Sequence, residues 1–182
     1  MQMRSETVTA YISLGSNVGD RAGNLLYAVR GLMEASFDVE KLSAIYETEP
    51  VGMEPSPPFL NMVAEIKAHG VTPSQMMARL LRVEYLLGRK DKSLKKPRTI
   101  DLDILFYNDH RCDTPFLTVP HPRLHLRKFV LVPMNEIAPH FIHPVLNEKI
   151  ESLLELTTDT SAVVRWSPTT ADVAANVQKS YT

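Results

Sequence analysis

Asp101 and Asp103 stand one residue apart in KKPRTIDLDILFY (95–107), inside a run that otherwise has the β-branched, aliphatic and aromatic content of a buried strand. In an extended chain alternate side chains share a face, so Thr99, Asp101, Asp103 and Leu105 project one way and Ile100, Leu102, Ile104 and Phe106 the other, which is the expected core face. The two carboxylates then sit roughly 6–7 Å apart at their Cα atoms, within reach of a shared divalent ion or a pair of ions. Left uncompensated, they repel and weaken the sheet. For a lone pair of this kind a solvated strand face is the simpler account. The flank tips the balance: RKDKSLKKPR (89–98) carries six basic residues against one acid. Cations beside paired carboxylates suit a polyphosphate carrying Mg²⁺, a hard ion usually held by one or two carboxylates plus phosphate oxygens. Alone, the basic run is equally a solvated charged loop.

Other chemistries find less support. His121 and His125 in HPRLH are separated by three residues in a proline-broken stretch that does not hold them on one face, which argues against zinc; phosphate contact, with Arg123, Arg127 and Lys128 nearby, fits better. The pattern G-x-x-x-x-G-K-[ST] is absent, and GSN (15–17) is too short to count as a phosphate motif. Cys112 is the one cysteine, so neither an internal disulfide nor a cysteine-built metal site is expected, and no activated nucleophile stands out. Direct in-line transfer remains.

These residues need a scaffold. Residues 8–14, VTAYISL, read as a strand ending at GSN. Asp20 is placed to cap a helix whose Leu25, Val29, Leu32 and Met33 recur at helical spacing. A second strand is expected over 39–48, then a loop with four prolines (50–59) and a further strand over 59–68. Thr72, Pro73 and Gln75 form a capping-box start for a helix that Gly88 stops. The next strand is expected over 99–107, an apolar run over 129–132, and a helix near 148–156. Interleaved strands and helices of this kind suit an α+β sandwich, with a mostly antiparallel sheet and helices packed outside. A single domain over 1–166 is expected, with a flexible tail over 167–182.

Length is 182 residues, with 44% hydrophobic and 23% charged residues and a net charge of −1, values that point to neither disorder nor a global field attracting nucleic acid. No apolar run reaches the roughly 18 residues of a membrane span, and MQMRSETVT lacks the apolar centre of a secretory signal, so a cytoplasmic protein is expected.

Taken in order, SLGSN (13–17), YETEPVG (46–52), FLN (59–61), PRTIDLDIL (97–105) and VPHPRLHLRKFVLVP (119–133) resemble the 6-hydroxymethyl-7,8-dihydropterin pyrophosphokinase family of folate biosynthesis. The resemblance implies a ferredoxin-like sandwich, ATP and two Mg²⁺ ions, and transfer of pyrophosphate from ATP to the pterin hydroxymethyl group with release of AMP. It implies that Asp101 and Asp103 hold the metals and that Arg89 and Arg98 neutralise the transferring group. ATP contact falls to Glu84, Arg89, Arg98, Ile104, Thr118, His121 and Arg127; pterin contact falls to Thr48, Pro50, Val51, Asn61 and Phe129. From the residues alone, Phe129 reads as core and Asn61 as a strand-end turn. Two departures concern the adenosine: Ser93, Leu94, Lys95 and Lys96 stand where many relatives have a Trp, and Leu81 where they have a Gln. Segments 51–58 and 90–96 are expected to act as lids. Its partners would be small molecules, with no nucleic acid or membrane, and the chain a monomer or weak homodimer. Two alternatives from other classes are a nucleotide-binding regulatory module and a Mg²⁺-dependent nucleic-acid phosphodiesterase.

Overall fold

A computed structural model describes residues 6–49, 56–89 and 96–168. The expected lids at 51–58 and 90–96 therefore fall largely outside the described residues, as do Pro50, Val51 and the tail beyond residue 168.

Strand β1 (Thr7–Ser16) is followed by α1 (Arg21–Glu34), with the Asp20 carboxylate accepting the Gly23 N–H as expected of an N-cap. Next come β2 (Asp38–Leu42), β3 (Tyr46–Thr48) and β4 (Phe59–His69). The single strand expected over 39–48 is thus two. Ser43 causes the break: its hydroxyl, in place of a backbone carbonyl, accepts the Val63 N–H at 2.9 Å, and the next amide, Ala44 N–H, leaves the ladder for the Glu136 carboxylate at 2.8 Å. Helix α2 (Pro73–Leu86) starts in the predicted capping box of Thr72 and Gln75, and Gly88, at φ 91°, supplies the left-handed residue that ends it. Strand β5 (Asp101–Tyr107) leads to a two-residue-per-strand hairpin of β6 (Cys112–Asp113) and β7 (Thr118–Val119). Helices α3 (Lys128–Ile137) and α4 (Ile150–Leu156) and a last strand, β8 (Val163–Arg165), complete the chain. The apolar run 129–132 lies in α3, although Pro133 removes the donor that would bond back to Phe129.

The main sheet is antiparallel in order β5-β1-β4-β3-β8, with β2 also pairing β4. With α1 and α2 joining its strands, this is a ferredoxin-like α+β sandwich. One face buries Ile12, Leu14, Met62, Ile66, Leu102 and Ile104 under Leu25, Leu32, Met76 and Leu80 of α1 and α2. The opposite face is buried only at one end, where Tyr11, Val63, Leu105 and Phe106 pack under Val130, Leu131, Met134, Ile150 and Leu153 of α3 and α4. Phe106 corrects the simple alternation. The β1–β5 register slips between Tyr11↔Phe106 and Ile12↔Ile104, leaving Leu105 as an extra residue, so Phe106 shares the face of Leu105 rather than that of Ile104. The bulge lies C-terminal to both aspartates, and their common face is undisturbed.

Candidate active site

The other end of that second sheet face is uncovered by α3 and α4, and the polar strand residues lie there. Asp101 pairs across from Gly15 and Gly15 from Asn61; Asp103 pairs across from Ser13. A row therefore runs carboxylate, glycine, amide across three strands, with Asp101 and Asn61 about 10 Å apart at two strand spacings. Nothing bulkier than glycine fits between them: a Cβ on Gly15 would come within 2.8 Å of Asn61 Oδ1. Asn61 is not at a strand end. It lies inside β4, 4% exposed, and donates to Thr48 Oγ1 at 2.7 Å.

Above this floor opens a cleft lined among others by Thr48, Phe59, Asn61, Arg98, Asp101, Asp103, His121, Arg127 and Phe129. Phe129 packs against the α3–α4 core, as its residue type suggested, and also forms part of this wall. A second, more open cleft is lined by Met77, Ile104, Phe116, Thr118 and Pro122 and shares Asp103 and His121 with the first. Asp103 and His121 thus sit where the two clefts meet, and Asp101 lines the first.

Two arginines grip Asp101. Arg98 Nη2 is 2.8 Å from one carboxylate oxygen, and Arg89 reaches the other. Arg89 is itself only 6% exposed and also bonds Glu84 Oε1 at 2.9 Å. Glu84, expected at the nucleotide, is placed beneath the site instead: it is 2% exposed, lines neither cleft, and accepts the Leu102 N–H at 2.7 Å. The chain of contacts fixes the start of β5 to α2 and holds Arg89 behind Asp101. Arg98 stacks over Phe59, with Cζ 5.2 Å from the ring centroid, and Arg127 lies 5.5 Å from the centroid of Phe129.

Burial lowers the pKa of His121, and Arg127 and Arg123 push the same way against the opposing pull of Asp103. The imidazole is therefore neutral at pH 7. Its Nδ1 accepts the Arg123 N–H at 3.2 Å, which leaves Nε2 as the protonated nitrogen and a donor. His125 diverges from it toward His143, with ring centroids 6.3 Å apart, so the two histidines do not converge on a metal. Among the described residues no three His, Cys, Asp or Glu side chains group as metal ligands. Two carboxylates without a third protein ligand fit an ion that completes its shell with phosphate oxygens and water, as Mg²⁺ does, and do not fit a closed protein cage.

A sequence model of 7,8-dihydro-6-hydroxymethylpterin-pyrophosphokinase (HPPK) matches residues 11–139, which contain both aspartates and every wall of the two clefts named above. The chain belongs to the HPPK family. It is similar to the 2-amino-4-hydroxy-6-hydroxymethyldihydropteridine pyrophosphokinases of Bacillus subtilis, 47% identical over 70% of this chain and 77% of that one, and of Aquifex aeolicus, 40% identical over 79% and 88%. In fold it is similar to wild-type Plasmodium falciparum HPPK-DHPS, with a TM-score of 0.68 at 18% identity, matching 85% of this chain and 43% of that longer one. HPPK membership makes the reaction a pyrophosphoryl transfer in folate biosynthesis, and it displaces both the regulatory-module and the phosphodiesterase readings. Among the described residues no helix is long and apolar enough to cross a membrane.

Several HPPK-site residues escaped the sequence reading. Ser13, Gly15 and Phe59 line the first cleft, and Asn17 lies just behind it. The alternation of 8–14 already set Ser13 on the face opposite Ile12 and Leu14. A polar residue followed two positions later by glycine on that face was the available signal.

Proposed function

We propose that the chain transfers pyrophosphate from ATP to 6-hydroxymethyl-7,8-dihydropterin by in-line attack of the hydroxymethyl oxygen on the β-phosphorus, with AMP leaving. One observation carries the assignment of substrates to clefts: Asp103 lies at the junction of a cleft floored by an amide and walled by phenylalanines, which Asp101 also lines, and one running along Ile104 and Thr118. The flat pterin belongs in the first, stacked on Phe129 or Phe59, with the Asn61 amide, held by Thr48, reading its edge. Pro50 and Val51 belong to the same group by sequence. The nucleotide belongs in the second, beside Ile104, Thr118 and His121.

Asp101 and Asp103 would hold the magnesium ions, which when bound neutralise phosphate charge and align the reacting oxygens. The chain's own residues do the rest. Arg98, supported by Asn17 and Phe59, carries positive charge to the triphosphate. Arg89, buried between Glu84 and Asp101, orients the carboxylate. His121, neutral with its free N–H at Nε2, donates to a phosphate oxygen without adding charge, and Arg127 neutralises from the opposite wall. Positioning and charge compensation are what such transfers require. This reading describes a cytoplasmic enzyme acting as a monomer on small molecules.

Chromatography of a reaction containing ATP, the pterin and Mg²⁺ tests it. One AMP per pterin consumed, abolished by chelation, is expected; ADP in place of AMP would place the attack on the γ-phosphorus and refute the reading.

A further inference from the structure

Asn17 is 1% exposed, lines neither of the two clefts, and spends both donors of its side-chain amide and its amide oxygen on two segments distant in sequence. Its Oδ1 accepts the Arg98 N–H at 2.7 Å, and its own N–H donates to the Arg98 carbonyl at 3.1 Å. On the other side its Nδ2 donates to Ser56 Oγ at 3.0 Å and to the Pro57 carbonyl at 3.3 Å. Two residues beyond Pro57, Phe59 lines the pterin cleft and lies under the Arg98 guanidinium, which in turn reaches Asp101. The contacts close a ring: Asn17, Pro57, Phe59, Arg98 and back to Asn17.

We infer that Asn17 is a positioning residue that couples nucleotide binding to the pterin cleft, so that Arg98, drawn from the wall of that cleft onto a triphosphate, sets the pterin wall at residues 56–59, and the reverse. Arg98 cannot shift its backbone without moving the amide of Asn17, and that amide cannot move without releasing Ser56 and Pro57. Coupling of this kind is reciprocal between ligands. The inference rests on the proposed assignment of pterin and nucleotide to the two clefts.

Calorimetric titration of 6-hydroxymethyl-7,8-dihydropterin, with and without saturating Mg²⁺ and α,β-methylene-ATP, gives two dissociation constants whose ratio measures the coupling. The methylene bridge blocks cleavage, so the ternary complex persists. Wild type is expected to bind the pterin about tenfold more tightly when the analogue is present, within the usual range of such couplings. Asn17→Ala should bring the ratio close to one while binding of the analogue alone changes less than about threefold. Asn17→Asp keeps the acceptor for Arg98 and loses both donors to Ser56 and Pro57; it should retain analogue binding and lose the coupling, which a generally loosened fold would not do. Ser56→Ala changes a half-buried loop hydroxyl only and decides the matter if the Asn17 variants fail to fold: its ratio should fall by at least about threefold. A wild-type ratio of one, or full coupling in the variants that fold, overturns the inference. Failure of wild type to bind the two ligands together would instead overturn the assignment of the clefts.

Discussion

Replacing Glu84 by alanine should destabilise the protein by about 3–5 kcal/mol, although this carboxylate lines neither cleft. At 2% exposure its Oε1 accepts two hydrogen bonds, from Leu102 N–H at 2.7 Å and from Arg89 Nη1 at 2.9 Å. Removing the acceptor of a buried amide costs about 1–3 kcal/mol. Removing one anion from a guanidinium that is 6% exposed approaches the 3–5 kcal/mol typical of breaking a buried pair, reduced here because Asp101 still faces Arg89. The two losses overlap, which holds the sum near the stated range. Glu84→Gln keeps an oxygen in the same place and loses only the charge, so it should cost about 1–2 kcal/mol. Urea unfolding with linear extrapolation measures both. Arg89→Met added to Glu84→Leu should recover part of the loss, because two contacting residues of one network are not additive. An alanine variant less stable by under about 1 kcal/mol, or a glutamine variant as unstable as the alanine one, would refute the view that this carboxylate anchors Arg89 and β5.

Two further outcomes follow from the same geometry. His143 is 4% exposed and its pKa is pushed down to about 4, chiefly by burial; its Nδ1 accepts the amides of Val145 and Leu146 at 3.2 Å each. The native state thus disfavours the proton that the unfolded chain takes up near pH 6.5, so this stability is whole above pH 6.5 and declines as pH falls toward 4, by about 2.5 kcal/mol at pH 4.5. Denaturant midpoints of wild type and His143→Asn, compared at pH 7.5 and 4.5, should show the variant losing less. Gly15→Ala drives a methyl group into Asn61 Oδ1 and disturbs its bond to Thr48, so the KM for the pterin should rise about tenfold while the KM for ATP changes less than about twofold in steady-state assays. Equal changes in both constants would contradict the placing of the pterin over Gly15.

The local signals in the sequence served where short-range chemistry decides the outcome. Asp20, Thr72, Gln75 and Gly88 each act at a helix end as their types require, and Asp101 and Asp103 share a face because strand alternation admits no other arrangement without a bulge between them. What was not legible depends on contacts between distant segments. Ser43 breaks its strand because its hydroxyl meets Val63 and the following amide meets Glu136, far along the chain. Phe106 changes face because β1 and β5 slip by one residue, and no periodicity within either strand reports that. Glu84 and Arg89 were assigned to ATP by resemblance alone; their burial against β5 follows from α2 packing there, which no local pattern reports. Asn17 was passed over because GSN was weighed as a phosphate loop, whereas its side chain serves two backbone segments.

The claim on which the account rests is that Asp101 and Asp103 act at and beside the meeting point of the two clefts. Magnesium-dependent AMP release by Asp103→Ala, at matched folding shown by circular dichroism and melting temperature, tests it most directly. Loss of turnover by at least about a thousandfold in a folded protein is predicted, since charge compensation in phosphoryl-type transfer commonly supplies several orders of magnitude in rate. Turnover within about tenfold of wild type would contradict it.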